Sequence, residues 1–542
     1  MPLMLARMGG PGTRELRDDK AARRILRMPL FEITLLLLAI AVVLMQVARH
    51  LRVPYPAMLA LVGGCVATLP FAPHLSIEPR LALALFVAPA VMDTAFEMPP
   101  REMLRIWLPL TSLAVVLVLL TTAAVAWAGV ALAGLPVAAA VALGAIVAPP
   151  DAAAAAAVLR EFNLPRRTMS VLQGESLLND AVALLAFGLA VTAATHPGGA
   201  WEAVLPRLLF AVPGGALLGV GVSLLGMYAI KKVAGTLSSI IVQFLLTFGT
   251  WILAERLSLS PIVAVVALAA VAARYAPSRT SARDRLNTNA VWAIVVFVLN
   301  VLAFLLMGLQ ARLIVSQLPA DELKTALVFA GIVLAVVIGV RFAWVMAYGF
   351  TLRAFRHFFE RRVLGGPAPS AGIGVLVSWC GMRGLVTLAT SFALPSEFPG
   401  RNVIVLSAFT VVLGTLVVQG FTIRPLIALL RIAPDESLDR DVAEARRAML
   451  DAAVAELRGR SGASADAVRN EYAAVRAANV GSAKPPTEYD DLRLLALAAE
   501  RKVLHEWRRK GRILDDVYHL LEDELDRAEL QAASVGTTWL EG

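Results

Sequence analysis

Gln173-Gly174-Glu175-Ser176-Leu177-Leu178-Asn179-Asp180 lies inside an apolar stretch, residues 168–194, long enough to cross a bilayer. An acidic side chain at hydrocarbon depth costs about 2.5–3.5 kcal/mol on insertion scales, so such residues mark ion or proton pathways. In a helix, Ser176 and Asp180 are four apart and share one face, while Glu175 and Asn179 share the neighbouring face. Asp180 is therefore expected to point with Ser176 into a cavity. Glu175 then turns toward another helix and requires a cation at the same depth. Arg341 and Arg383 are the candidates. A structural Glu175–Arg341 pair is the preferred reading, against one in which Arg341 snorkels to an interface.

The stretch just upstream, 135–158, carries a second acid, Asp151, directly after Pro149-Pro150. Two adjacent prolines remove two backbone donors and break a helix. Carbonyls freed at that depth are tolerated only where they are buried in protein or line a wet cavity. A comparable interruption, Gly381-Met382-Arg383-Gly384, falls in the stretch 370–395. Paired interruptions in corresponding spans are the best sequence pointer to a transporter's binding site. The alternative is two unrelated kinks. A third stretch, 79–98, contains Asp93, which either completes the cavity or serves a polar entrance.

Composition agrees with a polytopic helical membrane protein. The chain has 542 residues, of which 58% are hydrophobic, with a mean hydropathy of +0.71; soluble domains are roughly 45–50% apolar. Thirteen spans are expected: 30–48, 54–71, 79–98, 106–132, 135–158, 168–194, 204–230, 236–254, 260–275, 289–314, 323–350, 370–395 and 402–430. The two interrupted spans are seven apart, as expected if spans 1–6 and 8–13 are inverted repeats. The fold class read from the sequence is thus all-α, with about thirteen transmembrane helices and a small helical tail.

The net charge of +9 is unevenly spread. From Ala433 onward there are 16 Lys/Arg and 22 Asp/Glu, a balance of −6, against +15 before it. The basic excess sits in short connections such as Arg160, Arg166 and Arg167, where it sets topology and does not signal nucleic-acid binding. That places these connections in the cytoplasm, the N-terminus outside and the tail inside. Lys20, Arg23, Arg24 and Arg27 disagree: either they cross, or translation starts later, near Met28. Neither the two cysteines, Cys65 and Cys380, nor the six scattered histidines have metal-ligand spacing, so no cofactor is expected. The domain reading is an N-terminal extension 1–29, a transmembrane domain 30–432 and a cytosolic tail 433–542. The tail's Leu495, Leu504, Trp507, Leu514, Val517, Leu520, Leu521 and Leu525 recur at helix-like spacing. A packing or dimer-stabilising appendage fits it at least as well as a regulator.

Pro149-Pro-Asp-Ala, Gln173 to Asp180, Gly381-Met-Arg-Gly384 and Ala88-Pro…Asp93 together resemble the monovalent cation:proton antiporter-1 family, the sodium/proton exchangers. The resemblance spans about residues 30–430. It implies a homodimer in the cell membrane, each protomer having a dimerisation domain and a six-helix core with two crossed, broken helices. It implies that Asp180 binds the monovalent cation or the proton, and that Asp151, Ser176, Asn179, Asp93 and the Pro150 carbonyl belong to the same site. It also implies that Glu175 and Arg341 are the structural ion pair, and Arg383 a second core arginine. Asn179 stands where electrogenic relatives carry an aspartate, which implies electroneutral exchange. Two departures bear on selectivity: Pro150 replaces a threonine, and Asp93 a glutamate.

The expected function is antiport of a monovalent cation, Na⁺ first and Li⁺ or K⁺ next, against H⁺, with cation and proton competing for Asp180. A K⁺/H⁺ or organic-cation/H⁺ antiporter is the nearest alternative. An intramembrane hydrolase using Ser176 is remote, because Ser176 is in no Gly-x-Ser-x-Gly elbow and no membrane histidine is placed as its base.

Overall fold

The computed structural model describes residues 30–51, 54–67, 78–98, 100–151, 155, 159, 162, 164–195, 200–233, 236, 238–275, 282–310, 314–315, 319–354 and 370–432. In the tail it describes 447–448, 451–458, 462–478, 487–510 and a few positions up to 528. The N-terminal extension, and Leu514, Val517 and Leu520 of the tail, lie outside the described residues. The chain divides into two compact units, Met1–Ala433 and Pro434–Gly542.

The described residues of the first unit form helices and the connections between them, with no strand among them. Its helices follow the expected spans in order: α1 Leu30–Leu51, α2 Tyr55–Ala67, α3 (residues 79–97), α4 Pro100–Arg105, α5 Trp107–Ala133 and α6 Val137–Val147. After them come α7 Arg166–Thr195, α8 Ala200–Lys232, α9 Ser238–Arg256, α10 Pro261–Tyr275, α11 Ala282–Leu309 and α12 Ala320–Ala354. The last are α13 Ala371–Trp379, α14 Leu385–Phe392 and α15 Arg401–Leu430. Seven of these, among them α5, α7, α12 and α15, have apolar segments long enough to cross a membrane. The expected span 370–395 is two helices, α13 and α14, separated by Cys380–Gly384. The expected span 135–158 leaves helical geometry after Val147, at Ala148-Pro149-Pro150.

Packing sorts the helices into two groups. In one, α5, α6, α7, α12, α13, α14 and α15 contact one another; in the other, α1, α2 and α11 pack together, and α3, α8, α9 and α10 likewise. The first group contains two triples of the same order: a long helix, an interrupted helix, a long helix. Close backbone approach in an apolar solvent depends on small side chains. Between α2 and α11, Gly63 and Gly308 face each other; a β-carbon on Gly63 would lie 2.6 Å from the Leu305 carbonyl oxygen. Two π-helical turns interrupt α3 at Leu83–Val87 and α5 at Ser112–Val116. Such turns frequently mark functional sites.

In the second unit, α16 Ala463–Ala478 and α17 Thr487–Arg509 are described. Leu497 and Leu504 are buried, whereas Leu495, placed on the apolar stripe by its spacing, is exposed.

Candidate functional site

The breaks in α6–Asp151 and α13–α14 would leave backbone groups unpaired in a medium without water, so each needs a partner. The structure supplies them from the two segments themselves and from neighbouring helices. The Asp151 N–H donates to the Met382 carbonyl at 2.7 Å, joining the two breaks directly. The Val147 carbonyl accepts from Arg383 Nε at 2.8 Å, and the Gly381 carbonyl accepts from the same guanidinium. The Arg383 N–H donates to Thr415 Oγ1 of α15 at 2.9 Å. The Pro150 carbonyl accepts from Asn179 Nδ2 of α7 at 3.2 Å. Arg383 is 1% exposed, so its charge serves the broken backbone and not an interface.

Glu175 meets Arg341 in a fork. Arg341 Nη1 donates to Oε1 and Nη2 donates to Oε2 at 2.9 Å, with both side chains buried. Arg341 Nε and Nη2 also reach the Val377 carbonyl, at 3.3 and 3.0 Å. One arginine thereby ties α7, α12 and α13 together, and the snorkelling alternative is excluded by its burial. Gly381 leaves the room this requires, since a β-carbon there would collide with Arg341 Cδ.

The other face of α7 opens on a cavity of about 70 Å³. Roughly 10–15 Å³ admits one water, so several waters or a partly hydrated ion fit. Asp151, Ser176, Asp180 and Pro150 all line it, Ser176 and Asp180 together as their four-residue spacing predicts. Asp180 is 7% exposed and near enough to Asp151 for their charges to interact. No basic residue forms an ion pair with Asp180 among the described residues. Gly384 sets the position of the second acid: a β-carbon there would overlap the Asp151 carboxylate. The cavity lies between the two helix groups, because α3 and α11 close its far side with Phe86, Val87, Thr94, Asn300 and Phe304.

Other expected residues sit differently. Asn179 is fully buried behind the cavity and holds the Pro150 carbonyl. Asp93 is half-buried on α3, but the residues of that helix on the cavity wall include its neighbour Thr94 and not Asp93 itself. Asn300 and Thr387 line the cavity without having been singled out in the sequence. An isolated amide inside an apolar helix was the available signal for Asn300, and a hydroxyl four residues after Arg383 the signal for Thr387.

Interrupted helices meeting at a buried acidic cavity between two helix groups define a polytopic transporter fold. The family model described as sodium/hydrogen exchanger, transmembrane, matches residues 35–429, and the chain belongs to that family. It is 31% identical over 531 residues to an uncharacterised Na⁺/H⁺ exchanger of Mycobacterium tuberculosis, covering 92% of this chain and 96% of the relative. It is 30% identical over 430 residues to a sodium, potassium, lithium and rubidium/H⁺ antiporter of Bacillus pumilus, covering 75% of this chain and 62% of that protein. In fold it is similar to the sodium proton antiporter MjNhaP1 from Methanocaldococcus jannaschii, with a TM-score of 0.56 and 15% identity, over 74% of this chain and 98% of that one. The protein is accordingly a multi-pass membrane transporter of the cation/proton exchange type.

Proposed function

We propose that the protein exchanges a monovalent cation, Na⁺ or Li⁺ in preference, for H⁺ by letting the two compete for Asp180. The observation that carries this reading is an Asp180 carboxylate on a cavity wall beside Asp151 and Ser176, with no ion pair to hold it among the described residues. Two acids sharing a low-dielectric site are not both stable bare. A proton neutralises Asp180, and so does a small cation, for which carboxylate, hydroxyl and carbonyl oxygens are suitable ligands. The occupied site crosses as the group α5–α7 and α12–α15 rocks against the other helices; the bare, charged site crosses poorly. Glu175–Arg341 and Arg383 keep the two breaks in register during that movement.

Electroneutral exchange is part of the same proposal. Asn179 carries no charge and its amide donor is committed to the Pro150 carbonyl. Asp180 is then the acid whose occupancy changes, and one proton replaces one monovalent cation. In proteoliposomes, cation-driven proton movement is expected without a current; a current that scales with imposed voltage would contradict this stoichiometry. The ion itself is tested in everted vesicles loaded with a proton gradient. Na⁺ and Li⁺ are expected to dissipate the gradient at lower concentration than K⁺ or Rb⁺, and failure of every cation to do so would end the antiport reading. K⁺ is the second reading, since the name of the Bacillus pumilus relative includes potassium beside sodium, lithium and rubidium.

Gly384→Ala is a milder probe. The added methyl group occupies the space of the Asp151 carboxylate, so exchange is expected to fall while the protein still inserts. Unchanged exchange would remove Asp151 from the site. The proposal further includes a homodimer in the cell membrane and a cytoplasmic tail. The domain limits are 1–29, 30–432 and 433–542, and the division between Ala433 and Pro434 supports the last of these boundaries.

A further inference from the structure

The cavity wall holds a threonine that the exchange scheme leaves unused. Thr387 is 1% exposed, lines the cavity together with Asp151, Ser176 and Asp180, and its Oγ1 has no hydrogen-bond partner among the described residues. Four helical threonines elsewhere in this protein satisfy themselves on the carbonyl four residues back: Thr122 on Val118, Thr192 on Gly188, Thr247 on Gln243 and Thr351 on Ala347. Thr387 has no such carbonyl available. It sits in the first turn of α14, and the residue four back is Arg383, in the break. The intervening Gly384, at φ −143° and ψ −145°, is not helical, so the Arg383 carbonyl is outside the helix ladder.

A buried hydroxyl without a partner costs the desolvation of that group unless an ion or water completes it. Thr121, Thr250, Tyr348, Thr390 and Ser407 also carry unpartnered buried hydroxyls, but none of them lines the cavity. Thr387 alone combines the two properties among the described residues. Asp151 and Asp180, whose carboxylates accept hydrogen bonds and attract cations, line the same cavity. The Pro150 carbonyl, another oxygen on the wall, already accepts from Asn179.

We infer that Thr387 Oγ1 is a ligand of the transported cation and a determinant of which cation is preferred. The inference rests on the antiport reading above. A neutral hydroxyl oxygen adds to the ligand set without adding charge, so it favours the cation-bound state over the protonated state. Helix α14 thus contributes to ion binding through its first turn, in addition to spacing Asp151 through Gly384.

The test uses the purified full-length chain in proteoliposomes with a pH-sensitive dye. Thr387→Val is nearly isosteric and removes the hydroxyl; Thr387→Ser keeps it; Thr387→Ala guards against crowding by the valine. Valine and alanine are each expected to raise the apparent KM for Na⁺ by roughly threefold to tenfold, the range of one lost hydrogen-bonding group, and to change the Na⁺ to K⁺ KM ratio. Serine is expected to restore both, and the concentration of protons that half-inhibits uptake at low Na⁺ should fall in the valine and alanine variants. KM values and ratio unchanged in either variant would overturn the inference while leaving antiport standing. An equal loss of maximal rate for every cation with KM unchanged would also overturn it, since that is the mark of a packing role. Wild-type protein that moves no protons when a cation is added would instead sink the parent reading.

Discussion

Replacing Asp180 by asparagine is expected to abolish cation-driven proton exchange down to the level of empty vesicles, with the protein still inserted at its normal amount. The substitution keeps the size of the side chain and removes its ability to take up a proton or neutralise a cation. Ser176 and Asp151 remain on the cavity wall, but Asp151 gives its backbone N–H to Met382 and sits against Gly384, so it is tied to the crossing of the two breaks. Asp180 lies on an unbroken helix, α7, facing open space. Asp180→Glu should retain some exchange with weaker cation affinity, because the carboxylate survives at a displaced position. Exchange at the wild-type rate in Asp180→Asn would mean that the titrating acid is elsewhere, and Asp151 would be the next to examine.

The second large effect is on stability. Glu175→Gln leaves the Arg341 guanidinium buried without its counter-charge, and breaking a buried ion pair from one side costs about 3–5 kcal/mol. Arg341 also holds the Val377 carbonyl, so Arg341→Ala loses the pair and a backbone contact to α13. Both variants are expected to show a large drop in the unfolding midpoint of detergent-solubilised protein, Arg341→Ala the larger. The combined Glu175→Leu and Arg341→Met variant should recover part of the loss, because no charge is then stranded. A fall of less than about 1 kcal/mol in both single variants would place the pair in the range of exposed bridges and contradict its role as the tie between three helices.

Much of this arrangement was legible in the sequence because a bilayer removes alternatives. A buried acid needs a partner or a function, and Glu175 and Asp180 divide those two outcomes by facing different sides of one helix. Of the two arginines at the depth of Glu175, Arg341 is the preferred partner from the sequence. The structure separates the two through backbone accounting: Arg383 is occupied by the carbonyls of Val147 and Gly381, while Arg341 reaches the carboxylate from α12. The double proline announced the first break, and Gly381 and Gly384 the second; that the Asp151 N–H would close on the Met382 carbonyl is a property of the crossing and not of either segment alone.

What the sequence did not reveal has equally physical reasons. A π turn accommodates an extra residue in a helix, and one residue rotates everything beyond it by about 100°. The turn at Leu83–Val87 therefore alters the face that α3 presents from Ala88 onward, and Thr94, not Asp93, is the polar residue of that helix on the cavity wall. Asn300 is the single amide in the apolar run 290–309 of α11, which by pattern alone fits an interhelical bridge as well as a cavity. Thr387 became distinctive only when α14 was seen to begin at Leu385, because an unbroken helix would have offered its hydroxyl the Arg383 carbonyl. In the tail, the apolar stripe of α17 was read one position too wide, and Leu495 faces out.

The central claim is that a cation and a proton exclude one another at a single carboxylate. Isothermal titration of the purified protein with Na⁺, repeated at one pH in buffers of different ionisation enthalpy, measures the protons displaced by each bound ion directly. The account predicts release approaching one proton per cation at a pH where the free site is protonated, and none in Asp180→Asn. Sodium binding that displaces no proton at any pH, or displacement that survives in Asp180→Asn, would contradict it.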